Sequence, residues 1–263
     1  MKYLRFVEVY ESLAGTSKRL EKTALLATFL TELGRTETPA WIYLLKGKVV
    51  PDHDTREFGI STQLVLKTIA QTYGIAPDVV VTYFKKVGDL GEVAAFFASK
   101  RKQGALFGKP LTVAHVFQTL HKLFAVEGKG SVERKCALLS ELLTATQPQE
   151  AKYLIRTVLQ DLRTGTGDAV LVDALAGAFL SSDDAELVQR AYDMSGDFAR
   201  VLSACMKGTK AVELIDIVPG KATHPMLAVK AATIEEAFEI CGTPAAFEYK
   251  YDGFRLLINK TGD

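Results

Sequence analysis

Only three cysteines, Cys136, Cys205 and Cys241, occur in 263 residues. They are odd in number, far apart and without CxxC or Cys/His spacing, which excludes a disulfide framework and a cysteine-based zinc site. The histidines, His53, His115, His121 and His224, form no ligand-spaced set either, so no protein metal site is expected. Long apolar runs are also missing. AVLVDALAGAFL (169–180) is interrupted by Asp173 and falls short of the roughly 20 residues that cross a bilayer. At the N-terminus, MKYLRFVEVYESL carries Arg5, Glu8 and Glu11 where a signal peptide has an unbroken apolar core. No membrane partner and an intracellular, cytoplasmic location are therefore expected.

Excess charge is scarce overall, at +1, but it is unevenly spread. Residues 85–135 hold ten Lys/Arg against four Asp/Glu, a local +6 that leaves about −5 for the rest. Such a region is either a solvated helical face or a surface for a polyanion. Strand patterning is absent from the first two hundred residues. Phe6, Val9, Tyr10 and Leu13 recur at helical spacing and Gly15 stops them; Leu20, Ala24, Ala27 and Leu30 repeat the rhythm up to Gly34. Ser61 caps a further helix that Gly74 closes, and Pro77 opens another. More helices are expected near 89–99, 112–126, 131–145, 148–162, 168–180, 183–194 and 196–207. No fixed repeat period exists, so a helical globule fits better than a solenoid.

Near residue 210 the texture changes. AVELIDIVPGKATHPMLA (211–228) brings β-branched residues and prolines, and from 246 the chain alternates as a strand does. If 246–251 is a strand, Glu248 and Lys250 share one face while Phe247, Tyr249 and Tyr251 take the other. Asp252-Gly253 then turns the chain, and Arg255 offers a bidentate contact to phosphate or ribose. A lysine amine attacks phosphorus or carbonyl carbon once desolvation or a cationic neighbour deprotonates it. Four fixed letters in Lys-x-Asp-Gly-x-Arg recur by chance in about one chain in a few hundred.

That pattern, written here EYKYDGFR, resembles the nucleotidyltransferase motif of ATP-dependent DNA ligases, RNA ligases and mRNA capping enzymes, in the form seen in archaeal and eukaryotic DNA ligases. The resemblance extends back through VPGKATHPMLA (218–228), similar to the lead into a ligase adenylation domain. It continues into EAKYLIRTVLQDLRTGTGDAVLVDALA (150–176), which looks like the helical DNA-binding domain that capping enzymes lack. It implies a mainly α chain: an all-α multi-helix DNA-binding domain over 1–210, a linker over 211–230, and over 231–263 the first β-strands of an adenylation domain that continues in the parent protein. It also implies that Lys250 carries AMP from ATP, that Glu248 holds the adenine amino group and that Arg255 holds the ribose-phosphate. Mg2+ would stabilise the phosphate charge without a dedicated site in this segment, and the later motifs and OB-fold would lie outside these residues.

The 150–176 segment also has its own logic. Lys152, Arg156 and Arg163 lie on a helix that ends in RTGTGD, where the next helix begins. Gly165 and Gly167 admit close approach of backbone amides, Thr164 and Thr166 supply hydroxyls, and a helix N-terminus favours phosphate. The alternatives are a backbone contact to duplex DNA or a plain glycine-rich turn. EGKGSVERK (127–135) repeats the argument more weakly. QGALF (103–107) resembles a shortened sliding-clamp-binding motif through Gln103, Leu106 and Phe107; equally, Leu106 and Phe107 suit the local core. The functional expectation is nick sealing in double-stranded DNA through a lysine-AMP intermediate. Two alternatives stand beside it: a non-catalytic DNA- and clamp-binding module, and an RNA ligase or capping-type enzyme.

Overall fold

The computed structural model describes residues 1–36, 38–54, 56–101, 110–223, 229–253, 256, 258 and 260. Among them are thirteen α-helices: α1 (Tyr3–Ala14), α2 (Arg19–Gly34), α3 (Thr62–Tyr73), α4 (Pro77–Val87), α5 (Leu90–Ser99), α6 (Val113–Ala125), α7 (Ser131–Ala145), α8 (Pro148–Val158), α9 (Asp168–Phe179), α10 (Ala185–Ser195), α11 (Phe198–Cys205), α12 (Thr209–Glu213) and α13 (Ile234–Cys241). The boundaries follow the punctuation in the sequence. Ser61 accepts from the Leu64 amide to start α3, Asp89 from Glu92 to start α5, and Thr112 from His115 to start α6. Pro77 and Pro148 occupy first turns, where a missing N–H is harmless.

One apolar core runs from Tyr3 to Ile215. At its centre lies α8, which buries Ala151, Tyr153, Leu154, Ile155 and Val158 and packs against α5 and α1. Burying Leu154 and Ile155 contributes about 1.5–3 kcal/mol each. On one side α2 packs against α9, and on another α3 packs against α7. The rings of Phe6 and Phe29 meet edge-on at 4.8 Å, and the Tyr10 hydroxyl donates to the Leu44 carbonyl at 2.8 Å. The N-terminus is tied to the start of α6, Tyr3 N–H donating to Leu111 at 2.8 Å and Val113 N–H to Met1 at 3.1 Å.

Three features depart from the sequence reading. The helix expected to reach 162 ends at Val158, and Gln160 and Arg163 then adopt left-handed backbone, with φ of 55° and 56°. Pro39–Lys46 forms a 3₁₀ helix that periodicity did not indicate; it buries Ile42, Tyr43, Leu44 and Leu45 and packs against α11. The expected strands of the C-terminal segment are absent from the described residues, whose recorded β pairing is the isolated bridge Lys2–Thr112. A helix closes its hydrogen bonds within itself, whereas a strand needs a neighbour to pair with. No described residue pairs with 246–251. Phe247, Tyr249 and Tyr251 are 79%, 88% and 87% exposed, and α13 buries none of its residues.

Among the described residues, no helix is long and apolar enough to cross a membrane, and no group of three or more His, Cys, Asp or Glu side chains could hold a metal ion.

Candidate functional site

The stretch after α8 was the sequence's densest set of candidates, and the structure sorts it into two parts. Lys152 and Arg156 are engaged inside the fold. Lys152 Nζ sits 3.0 Å from Glu11 Oε1 and 2.9 Å from Glu92 Oε1. Burial opposes its charge, but those two carboxylates prevail and raise its pKa. Arg156, buried, donates through Nη2 to Asp89 Oδ2 at 2.8 Å, and its guanidinium lies 5.3 Å from the centre of the Tyr153 ring. Burial likewise works against the Asp89 carboxylate, yet the Arg156 bond, the Glu92 amide and Arg163 hold its pKa below the usual value.

Arg163 and the turn after it face outward. The Arg163 side chain is half exposed, bonded through Nη1 to Asp89 at 2.9 Å and through Nε to Asp161 at 2.8 Å. Gly165 and Gly167 are exposed, Thr164 is buried, and Thr166 is intermediate. The Thr166 hydroxyl finds no hydrogen-bond partner among the described residues. Gly165 has a φ of +60°, a conformation that glycine takes without strain, and Gly167 caps α9 with its backbone alone. Asp168, in the first turn of α9, bonds to Lys46 at 2.8 Å, which offsets its repulsion of an anion at the helix end.

A second turn of the same construction lies nearby, and the sequence reading missed it. Phe58-Gly59-Ile60 leads to Ser61, the cap of α3, and Gly59 has a φ of +61°. In both turns the left-handed glycine stands two residues before the helix cap. Gln160, Leu159 and Val158 line one depression of about 330 Å³ with Glu57 to Ser61. Leu159 also borders a neighbouring one of about 270 Å³ with Thr62, Asp89, Arg156 and Arg163. The two depressions share Leu159 at the end of α8, and the second reaches Arg163, just before the Thr164–Gly167 turn. The repeated spacing Gly-x-cap was legible in the sequence, but nothing local marked the two buried lysines that contact the turns. Lys22 Nζ donates to the Thr164 and Gly165 carbonyls at 2.6 and 2.7 Å, and Lys135 Nζ to the Phe58 carbonyl at 2.6 Å.

The weaker candidate turn, 127–135, is folded back on itself: Arg134 donates to the carbonyls of Glu127 at 2.9 Å and Gly130 at 3.3 Å. Glu248 and Lys250 are exposed. Arg255, Gln103, Leu106, Phe107 and His224 lie outside the described residues. The described side chains around the exposed Lys250 form no group of carboxylates that could hold Mg2+.

Comparison with known proteins gives a consistent result. The family described as DNA ligase N terminus matches residues 2–176. Over its full length the chain is 39% identical to a DNA ligase of Thermococcus onnurineus (strain NA1), covering 47% of that protein. It is 38% identical to a DNA ligase of Nanoarchaeum equitans (strain Kin4-M), covering 46% of it, and 36% identical to one of Methanobrevibacter smithii, covering 47%. The chain thus spans about half the length of the curated relatives it matches.

Proposed function

The chain belongs to the DNA ligase N-terminus family, and we propose on that basis that it is the DNA-gripping portion of an ATP-dependent ligase that seals nicks in duplex DNA. The observation that carries this reading is the turn Thr164–Gly167, which exposes Gly165 and Gly167 at the N-terminus of α9 beside the half-exposed Arg163. Backbone amides, a helix dipole and a guanidinium together suit the phosphates of a duplex and carry no information about base sequence. Lys152 and Arg156 support this face from behind by fixing α8 to α5 and α1. The helical domain takes up 1–210, the linker 211–230 and the start of the adenylation domain 231–263, whose strands form once a sheet pairs with them.

In the intact enzyme the Lys250 Nζ attacks the α-phosphorus of ATP and releases pyrophosphate. AMP then passes to the 5′-phosphate at the nick, and the 3′-hydroxyl displaces it. Glu248 binds the adenine amino group and Arg255 the ribose-phosphate. Mg2+ supplies charge stabilisation at the phosphates. A second reading is favoured by the exposure of Lys250: the 263-residue chain by itself binds DNA and performs no adenylation. The QGALF segment then serves as a docking point for a sliding clamp.

Fluorescence anisotropy with a nicked duplex across a salt series tests the grip. Affinity should fall steeply with salt, and salt-independent binding or none would sink the reading. Incubating the parent protein with α-labelled ATP tests the chemistry. Label should attach to the wild type and be lost in Lys250→Ala; retention of label in that variant, or labelling by GTP in place of ATP, would point to another enzyme class.

A further inference from the structure

Two lysines are buried, at 6% and 9% exposure, in a protein whose other cations on this face reach carboxylates or solvent. Lys22 on α2 and Lys135 on α7 instead end on backbone carbonyls. Each reaches the peptide next to a left-handed glycine: Lys22 at Thr164-Gly165, Lys135 at Phe58-Gly59. Each belongs to the helix that packs against the one the turn leads into, α2 beside α9 and α7 beside α3. A methyl group added at Gly165 would stand 2.8 Å from Lys22 Nζ, and one at Gly59 would stand 3.0 Å from Lys135 Nζ. The same device is thus built twice from unrelated local sequence.

We infer that Lys22 and Lys135 are positioning residues that hold two turns with their amides facing outward for DNA phosphates. This rests on the DNA-binding reading above and adds to it how the turns are set. In a trans peptide the carbonyl of one residue and the N–H of the next point in opposite directions. When Lys22 draws the Thr164 and Gly165 carbonyls inward, the amides of Gly165 and Thr166 turn away from it, towards the exposed side. When Lys135 draws in the Phe58 carbonyl, the Gly59 amide does the same. None of these three amides has a hydrogen-bond partner recorded among the described residues. Neither lysine can reach a phosphate itself, because each is enclosed with its ammonium on the carbonyls. Each also leaves a buried positive charge directly behind the turn, which favours an anion in front of it.

The test compares the 263-residue chain with its Lys22→Met and Lys135→Met variants, binding a nicked duplex by anisotropy between 50 and 300 mM salt, well below each variant's measured melting temperature. Each variant should bind about tenfold or more weakly, as expected for losing a hydrogen bond to a charged group. The log–log salt slope should change by less than the roughly 0.9 of a lost Lys or Arg contact, because the amides carry no net charge. A lysine that only stabilises the fold would lower the melting temperature and leave affinity unchanged, which would overturn the inference while the DNA-binding reading stood. If the wild type does not bind at all, the DNA-binding reading fails first. Should a variant not fold, the wild type decides: the amide resonances of Gly59, Gly165 and Thr166 should shift on adding the duplex, and unmoved resonances in a chain that binds DNA would reject the positioning role.

Discussion

Helices α6 and α13 begin in the same way. Thr112 Oγ1 accepts from the His115 amide at 3.2 Å, and Thr233 Oγ1 accepts from the Glu236 amide at 3.1 Å. Both helices are amphipathic. Yet α6 buries Val113, Val116, Thr119, Leu120, Leu123 and Phe124, while α13 buries nothing and leaves Ile234 and Ile240 71% and 50% exposed. Local sequence makes each helix; only a neighbour makes it part of a core. The same contrast separates the body up to Ile215 from the segment that carries Lys250, where the described aromatic side chains face solvent. Exposed apolar surface of this kind is characteristic of a face that packs against another surface.

Removing an aromatic side chain from each region should show the largest difference. Phe6 is fully buried against Phe29, so Phe6→Ala should cost about 3–5 kcal/mol. Phe247 is 79% exposed, and Phe247→Ala should change the stability of this chain by under about 0.5 kcal/mol. Urea unfolding of both variants measures this; comparable losses would mean that the segment packs on the body after all.

A smaller effect should come from charge. Burial alone would raise the Asp52 carboxyl, but hydrogen bonds from Lys46, Lys48 and Tyr192 overcome it and lower the pKa from 3.8 to about 2. Because the folded value is the lower one, the stabilisation is complete above pH 3.8 and is lost as the pH falls through about 2. Allowing for solvent on the open side, it amounts to something on the order of 1–2 kcal/mol. Asp52→Asn should therefore be less stable than the wild type at pH 7, with the gap closing towards pH 2. Denaturation midpoints at pH 7, 4 and 2 check it, and acid limbs that run parallel would remove Asp52 from the account.

The body was legible in the sequence because its signals are local. Ser61, Pro77, Gly74, Pro148 and the apolar rhythm of α1 and α2 act over three or four residues, and the helices appear where those residues put them. What escaped depends on partners far along the chain. Pro39–Lys46 becomes helical where it packs against α11, more than 150 residues later. The ion pairs of Lys152 and Arg156, which read as candidate DNA contacts, could not be seen because Glu11, Asp89 and Glu92 are remote in sequence, and Lys22 gave no sign that it meets a turn 142 residues away. The alternation around Lys250 was a true pattern with no ladder among the described residues to realise it. Motif and geometry thus diverge at this point: EYKYDGFR resembles a nucleotidyltransferase motif, while the described atoms around Lys250 form no strand ladder.

The finest test of the contrast uses the two threonine caps, since they are chemically the same bond. Thr112→Ala leaves the His115 amide without its acceptor at the head of a helix whose apolar face is in the core. Fraying there exposes buried Val113 and Val116, so the loss is felt in global unfolding, at about 0.5–1 kcal/mol. Thr233→Ala removes an equivalent bond from α13, but fraying exposes nothing that was buried, so the global transition should move by less than about 0.2 kcal/mol. The missing energy should surface instead as faster amide exchange confined to α13. Hydrogen exchange read helix by helix alongside urea midpoints distinguishes the cases. If Thr233→Ala lowered the global midpoint as much as Thr112→Ala, α13 would be energetically coupled to the body, and the segment carrying Lys250 would have to be regarded as docked against it.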